Sequence, residues 1–357
     1  MLAVVKENPG PGFALKQVAL PQIRGGEVLV QVKAVGICGT DLPIFSGVRA
    51  VPPGLIPGHE FAGEIVEIGH AVRHRHSPTE SWAVGDRVAV SLVKGCGQCY
   101  HCRTGDEPRC DHLTELGIDV NGGYAEYAAV PASCLHRLPD HLSFEDGACI
   151  DPIASAYRGV RKAVVGVEDT VAILGPGPIG LYALQTIKAR GANQVIVIGQ
   201  REAGRRLQVA EQLGADHVFS AQAGNPAEFV AAATGGRMTS VVIEATGNAA
   251  ALPVALNCAA KGARVVLLGI FHDETRVNPA VVVRRELEVI GSFCYSWADF
   301  EESLGLLARR KVTTKPVVSH VMALEQISAA LELIRARQAV KIILKPRASE
   351  YQVPSDR

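Results

Sequence analysis

The chain has 357 residues, of which 48% are hydrophobic and 5% aromatic, and its 36 Lys and Arg are balanced by 36 Asp and Glu. This length is enough for two domains, each with its own core, and the charge balance gives no support to a nucleic-acid or anionic-membrane partner. No apolar run approaches the roughly 18 residues of a membrane span, and the opening Met1-Leu-Ala-Val-Val-Lys-Glu-Asn-Pro-Gly10 lacks the basic and then apolar regions of a secretory signal.

Short β-strands come first. Glu27–Val35 and Ala62–Gly69 alternate apolar and polar residues and end at glycine turns, and Gly85-Asp86-Arg87 is a turn into a third strand. Beside them stand Gly36-Ile-Cys38-Gly-Thr40-Asp41 and Gly58-His59-Glu60. Taken singly, Cys38 reads as a core thiol and His59 as a loop histidine. His70, His74 and His76 lie among Arg73, Arg75 and Ser77 before a proline, and read as an exposed loop rather than a metal site.

Four cysteines then fall within fifteen residues as Cys96-x2-Cys99-x2-Cys102-x7-Cys110. Thiolates at this spacing close a tetrahedron around one Zn²⁺ and leave no position for water, which makes a structural site. The bacterial iron–sulfur run has a shorter last gap and a proline after its fourth cysteine, whereas here the gap is seven residues and Asp111 follows. Nine cysteines without an export signal point to a reducing cytoplasm, where clustered thiols bind metal rather than pair as disulfides.

From about residue 152 the rhythm changes. Asp151-Pro152 has the form of an N-cap and N1 pair opening a helix over Ile153–Lys162. Six strand candidates follow, beginning at Thr170, Gln194, Asp216, Ser240, Ala263 and Leu287, with helical stretches between them. Continuous β-branched runs in this alternation describe a parallel sheet buried on both faces. After about residue 294 the pattern turns irregular, with an amphipathic helix near Leu324–Arg337 and a last strand, Val340–Leu344. The order predicts a doubly wound domain at 152–293, with the other domain made from 1–151 and a C-terminal return, 294–357.

Gly175-Pro-Gly177-Pro178-Ile179-Gly180 fits G-x-G-x-x-G directly after a strand and at the start of a helical pattern, the context that makes it a dinucleotide fingerprint. The glycines allow a tight turn, close approach of a pyrophosphate to backbone N–H groups, and close helix–strand packing. The next strand ends at Gly199, where NAD-binding proteins usually carry a ribose-binding carboxylate, and Gln200, Arg201, Arg205 and Arg206 follow. Without that carboxylate nothing repels a 2′-phosphate, and a guanidinium nearby favours NADP over NAD. The alternative is that these arginines form the solvated face of the helix Arg205–Leu213. Thr246, Gly269 and Phe293, at the ends of later strands, are further candidates for cofactor contact.

Together these motifs resemble the zinc-dependent medium-chain dehydrogenases/reductases, the alcohol dehydrogenase superfamily, and within it the sorbitol and threonine dehydrogenase branch. The resemblance spans nearly the whole chain. It implies an α/β fold: a GroES-like β-rich catalytic domain, a Rossmann domain with a doubly wound parallel sheet, and a catalytic zinc in the cleft between them. Two zincs per subunit, a cytoplasmic location and a homodimer or homotetramer come with it. Carried over, Cys38 and His59 are zinc ligands, Glu60 is a ligand or near-ligand, and Thr40 takes the alcohol proton. Asp41 matches the carboxylate that orients the ligand histidine. Asp151 stands where alcohol dehydrogenases supply a further cysteine ligand and the polyol branch has Glu-Pro. It would bind metal directly or through water, a role compatible with starting a helix.

Two departures stand out. Pro43 replaces a proton-relay histidine of several relatives, and Cys294 replaces an arginine that sorbitol-type relatives use near a polyol chain, while Tyr295 is retained. The implied activity is reversible oxidation of a secondary alcohol (a polyol, sugar-derived or amino alcohol) to the ketone with a nicotinamide cofactor. Two rivals share the fold: a zinc-free ene or quinone reductase, and a non-catalytic nucleotide-binding protein. Cys38, His59 and the cysteine cluster argue against the first, and unbroken metal ligands argue against the second.

Overall fold

Glu27–Gly36 is the strand around which the first sheet is built. In the computed structural model, which describes residues 1–73, 81–200 and 204–347, it pairs antiparallel with three strands, Glu60–Ile68, Tyr127–Pro131 and Lys341–Lys345. Val318–Ala323 lies outside Lys341–Lys345 in parallel, and Arg87–Val90 and Leu135–Arg137 extend the other side, giving seven strands. Period-two alternation predicts one wet face for Glu27–Gly36, but Val28, Leu29, Val30, Val32, Ala34 and Val35 are all buried. The surplus apolar residues at odd and even positions are covered on both faces, and only Glu27, Gln31 and Lys33 keep a polar edge. Val4, Val30, Phe61, Ile65, Val88, Ile342 and Leu344 belong to the resulting core.

The registers bring distant residues together. Gly36 sits opposite Glu60 on one side, and Ile343 sits opposite Gly36 on the other. Antiparallel pairing therefore sets the residues after Gly36 beside those before Glu60, which places Cys38 next to His59. Both tryptophans, Trp82 and Trp297, belong to this unit, which comprises Met1–Asp151, Ser296–Leu304 and the chain from Val318.

The second unit comprises Pro152–Tyr295 and Gly305–Val317. Its sheet has six strands, all parallel, in the order His217–Ser220, Gln194–Gly199, Thr170–Leu174, Thr239–Glu244, Ala259–Leu267 and Glu288–Gly291. The first strand in sequence lies centrally and the order reverses beside it, the doubly wound pattern of a dinucleotide-binding fold. Val171, Ala172, Ile173, Val242 and Val265 are fully buried, as a parallel sheet covered on both faces requires. No helix among the described residues is long and apolar enough to cross a membrane.

Three expectations need correction. The helix expected from Ile153 begins at Ile150, so Asp151 lies in its first turn and is not its N-cap. Pro152 is tolerated there because the N–H groups of a first turn need no intrahelical acceptor. Residues 305–317, expected in the C-terminal return, fall in the second unit. The side chain of Gln185, from the helix Pro178–Ala189, holds them there: it donates to Thr313 O at 3.1 Å and accepts from Thr313 N–H at 2.7 Å. The helix expected near 324–337 is a 3-10 turn, Leu324–Gln326, followed by Ile327–Arg335.

Candidate metal centres and dinucleotide site

Cys38, His59 and Glu60 each place a ligand atom within 4.8 Å of the others. His59 and Glu60 are buried and Cys38 half-buried. Asp41, in the first turn of the short helix Asp41–Ser46, is fully buried and organises the group. Its Oδ2 accepts from Cys38 N–H at 2.8 Å and from the Tyr124 hydroxyl at 2.6 Å. Its Oδ1 faces His59 Nδ1 at 4.0 Å, beyond hydrogen-bond reach. Tyr124 is itself fully buried against Gly58, where a Cβ would run into its ring. Gly58, at φ +89°, meets both the steric and the backbone demand.

Three buried polar atoms here, Thr40 Oγ1, Asp41 Oδ1 and His59 Nδ1, have no hydrogen-bond partner among the described residues. Burial opposes charging His59, yet Cys38, Asp41 and Asp151 raise its pKa well above the usual value. Surroundings that draw a proton so strongly also draw a cation. Sulfur, imidazole and carboxylate together are a donor set suited to Zn²⁺, so the residues present fit the metal. Asp151 is buried and near enough to act on His59, but stands outside the three-residue ligand group. Glu60 Oε2 pairs with Lys341 Nζ, and that ammonium also donates to Ile37 O at 2.9 Å.

Cys96, Cys99, Cys102 and Cys110 form the second group, again with ligand atoms within 4.8 Å of one another. Backbone N–H groups point at the sulfurs: Gln98 and Cys99 at Cys96 Sγ (3.4 Å each), Cys96 at Cys110 Sγ (3.2 Å) and His112 at Cys110 Sγ (3.3 Å). The Gln98 and Cys99 donors lower the Cys96 pKa to about 6, while burial pushes Cys102 up to about 12. Gly95 has no side chain because a Cβ would lie 2.7 Å from Cys102 Sγ. A lobe folded around four sulfurs that are backed by N–H donors fits a closed thiolate metal site.

In the second unit the carboxyl ends of adjacent strands converge. Gly175, at φ +100°, turns the chain out of the central strand, and a Cβ there would lie 2.6 Å from Thr246 Cγ2. A Cβ on Gly180 would run into Gly175 O, whereas one on Gly177 would meet nothing. Gly177 caps the helix Pro178–Ala189 with extended backbone, Pro178 is its first residue and Ile179 follows. The unpaired N–H groups of that first turn face an open approach suited to phosphate.

Thr246 donates from its N–H (2.8 Å) and its hydroxyl to the buried carboxylate of Glu244, and Gly247 N–H reaches the same carboxylate at 3.2 Å. Gly269 lies against this group, since its Cβ would sit 2.7 Å from Glu244 Oε2. Gly199 ends its strand buried, and Arg206 is half-buried in the first turn of Gly204–Gln212. Arg201 lies outside the described residues, as do His74 and His76. Phe293 is 43% exposed and follows Ser292, which is tied by its N–H to Leu267 O.

Residues 24–140 match the alcohol dehydrogenase GroES-like domain, and residues 178–309 match the zinc-binding dehydrogenase family. A sorbitol dehydrogenase of Halalkalibacterium halodurans is 32% identical over 97% of this chain and 99% of its own. An L-threonine 3-dehydrogenase of Symbiobacterium thermophilum is 35% identical, covering 97% and 98%. The chain belongs to the medium-chain dehydrogenase/reductase family, the alcohol dehydrogenase superfamily. Among solved structures, a zinc-binding dehydrogenase of Sinorhizobium meliloti 1021 bound to NADP superimposes with a TM-score of 0.88 at 31% identity, covering 97% and 99% of the two chains. This medium-chain dehydrogenase is thus an oxidoreductase of the alcohol dehydrogenase type, with a GroES-like domain and a Rossmann-like parallel sheet.

Three residues around the dehydrogenase's candidate sites escape sequence reasoning: Tyr124, Lys341 and Glu244. The only trace of Tyr124 is its place after Gly122-Gly123, of Lys341 a charge opening an apolar strand, and of Glu244 a carboxylate closing one.

Proposed function

We propose that the chain is a zinc-dependent dehydrogenase that reversibly oxidises a secondary alcohol, of the polyol, sugar-derived or amino-alcohol class, with NADP preferred over NAD. The observation that carries this reading is that ligand atoms of Cys38, His59 and Glu60 lie within 4.8 Å of one another, with the buried, unpartnered hydroxyl oxygen of Thr40 two residues along the chain from Cys38. Sorbitol and threonine dehydrogenases among the relatives support the substrate class. Zinc held by these residues would act as a Lewis acid toward the alcohol oxygen, and bound NADP would supply the hydride acceptor.

The chain's own residues do the rest. Thr40 Oγ1 takes the alcohol proton while its own hydroxyl proton passes to water, a relay role that its missing partner leaves open. Asp41 fixes the Cys38 backbone through a buried hydrogen bond and faces His59 with its other carboxylate oxygen at 4.0 Å. Gly175, Gly177 and Gly180 admit the pyrophosphate to the helix start, and Thr246 and Gly269 shape the neighbouring strand ends. Arg206, with Arg201, is the proposed partner of a 2′-phosphate, in the absence of a carboxylate at Gly199. The cysteine cluster holds the second zinc and takes no part in the chemistry.

The test is an alcohol panel run with NADP⁺ and with NAD⁺, paired with metal analysis. Activity on secondary alcohols is expected, with lower KM for NADP⁺. Thr40→Val is expected to lower turnover while cofactor affinity stays unchanged. Fully active protein containing one zinc or none overturns the reading.

A further inference from the structure

Glu60 opens one strand and Lys341 opens another, 281 positions apart in sequence, and their side chains meet in the interior at 2% and 1% exposure. The slot for this pair is built into the sheet. Gly36, opposite Glu60 in register, carries no Cβ; one would run into Glu60 Oε2 and lie 3.0 Å from Lys341 Cε and Nζ. Nζ also donates to Ile37 O at 2.9 Å, so the ammonium is held from two directions. The same Glu60 carboxylate lies within 4.8 Å of the Cys38 sulfur and a His59 ring nitrogen. It is therefore within reach of two positive charges, the fixed ammonium and the cation that Cys38 and His59 would hold.

We infer that Lys341 is a positioning residue that restrains the Glu60 carboxylate at the edge of the metal centre and competes with the metal for it. This rests on the reading of Cys38, His59 and Glu60 as a metal site. A buried carboxylate must be neutralised by something, and a single ammonium from the strand on the far side of Glu27–Gly36 provides this without metal. With the metal bound, the ammonium continues to attract Oε2, so the carboxylate gives the metal less than its full charge. Lys341 thus makes the centre foldable when empty and leaves Glu60 able to withdraw when a ligand needs its place.

The experiment measures zinc affinity at this centre by chelator competition in the full-length protein, with the four-cysteine site loaded. Cys38→Ser identifies which zinc equivalent is being read. Thermal midpoints with and without that zinc are compared for wild type, Lys341→Met, Glu60→Gln and the double variant. Lys341→Met is expected to bind this zinc about tenfold more tightly, at the low end of what partners of metal ligands contribute. It is also expected to lose more thermal stability empty than loaded. In the Glu60→Gln background, Lys341→Met is expected to change zinc affinity little. A Lys341→Met protein that folds only with zinc supports the inference equally, because the metal has then become the carboxylate's sole counter-charge.

Equal loss of midpoint in empty and loaded protein, with zinc affinity unchanged, overturns it and leaves a purely structural pair. If Cys38→Ser and Glu60→Gln both bind two zincs as tightly as wild type, the reading of the metal centre itself has failed.

Discussion

At the scale of single residues, Asp41 organises the candidate metal centre and Tyr124 holds Asp41. Tyr124→Phe deletes one of the two donors to Asp41 Oδ2 and leaves the ring packed on Gly58. A hydrogen bond to a charged acceptor is worth about 1.5–3 kcal/mol, so urea unfolding should register a loss of that order. Chelator should also strip the Cys38/His59 metal faster in this variant, with the four-cysteine metal released at the wild-type rate. Cys258 makes the opposite case: fully buried, its thiol is pushed up to about 12 by burial. It should resist iodoacetamide at pH 8 in folded protein and react once urea is added, which peptide mapping would show.

The candidate ligands Cys38, His59 and Glu60 were legible in the sequence because sulfur, imidazole and carboxylate beside glycine are rare in company. Tyr124 and Lys341 were not, because an aromatic after glycines and a charge at a strand end have ordinary structural uses. Only the strand registers give them their neighbours.

At the scale of elements, the strands of the parallel sheet were readable because β-branched runs leave no alternative packing. The helix start at Ile150 was not. Asp151-Pro152 has the composition of a cap, but Cys149 and Ile150 are fully buried and carry the helix back past it. A capping box does lie upstream, formed by Ser143 and Asp146, but it caps the separate short helix Phe144–Gly147. The glycine loop makes a sharper prediction. In Gly180→Ala the new methyl runs into Gly175 O, and crowding of this kind costs about 1–3 kcal/mol. Weaker NADPH binding by fluorescence titration is expected, with metal content unchanged.

A pH effect belongs to this scale too, since Lys345 on the last strand reaches Glu145 on the short helix at 2.7 Å. Burial raises the Glu145 pKa, but Lys345, together with the Glu145 backbone N–H and the Ser143 side chain, outweighs it and the net shift is downward. A depressed folded pKa gives stability that is present above the ordinary glutamate range and is lost as pH falls through the folded value. Both side chains are partly exposed, so Lys345→Gln should cost less than about 1 kcal/mol at neutral pH. Urea midpoints of variant and wild type should converge in acid.

At the scale of the molecule, both candidate metal centres lie in the first unit and the glycine loop in the second. The change of rhythm near residue 152 falls beside the Asp151/Pro152 division of the two units, while the place of 305–317 depends on Gln185. Each ligand should therefore stabilise its own unit. NADP at a hundred times its Kd should contribute about 2.7 kcal/mol, read as slower hydrogen exchange in the buried strands around Ile173 and Val242. Unchanged exchange there under saturating cofactor would refute the assignment of the loop. Trp82 and Trp297 both lie in the first unit, so chelation should lower the midpoint followed by tryptophan emission.

The pairing of Lys341–Lys345 with Glu27–Gly36 also has a consequence during synthesis on the ribosome. The strand bearing Glu60 emerges early, and the complete second unit is translated before its buried ammonium partner exists. Until then the nascent sheet has an open edge and an uncompensated carboxylate. Closure across some three hundred residues is the kind of non-local step that slows folding and exposes a chain to aggregation. On the proposed reading, a zinc bound by Cys38 and His59 would supply that missing counter-charge before the chain is finished.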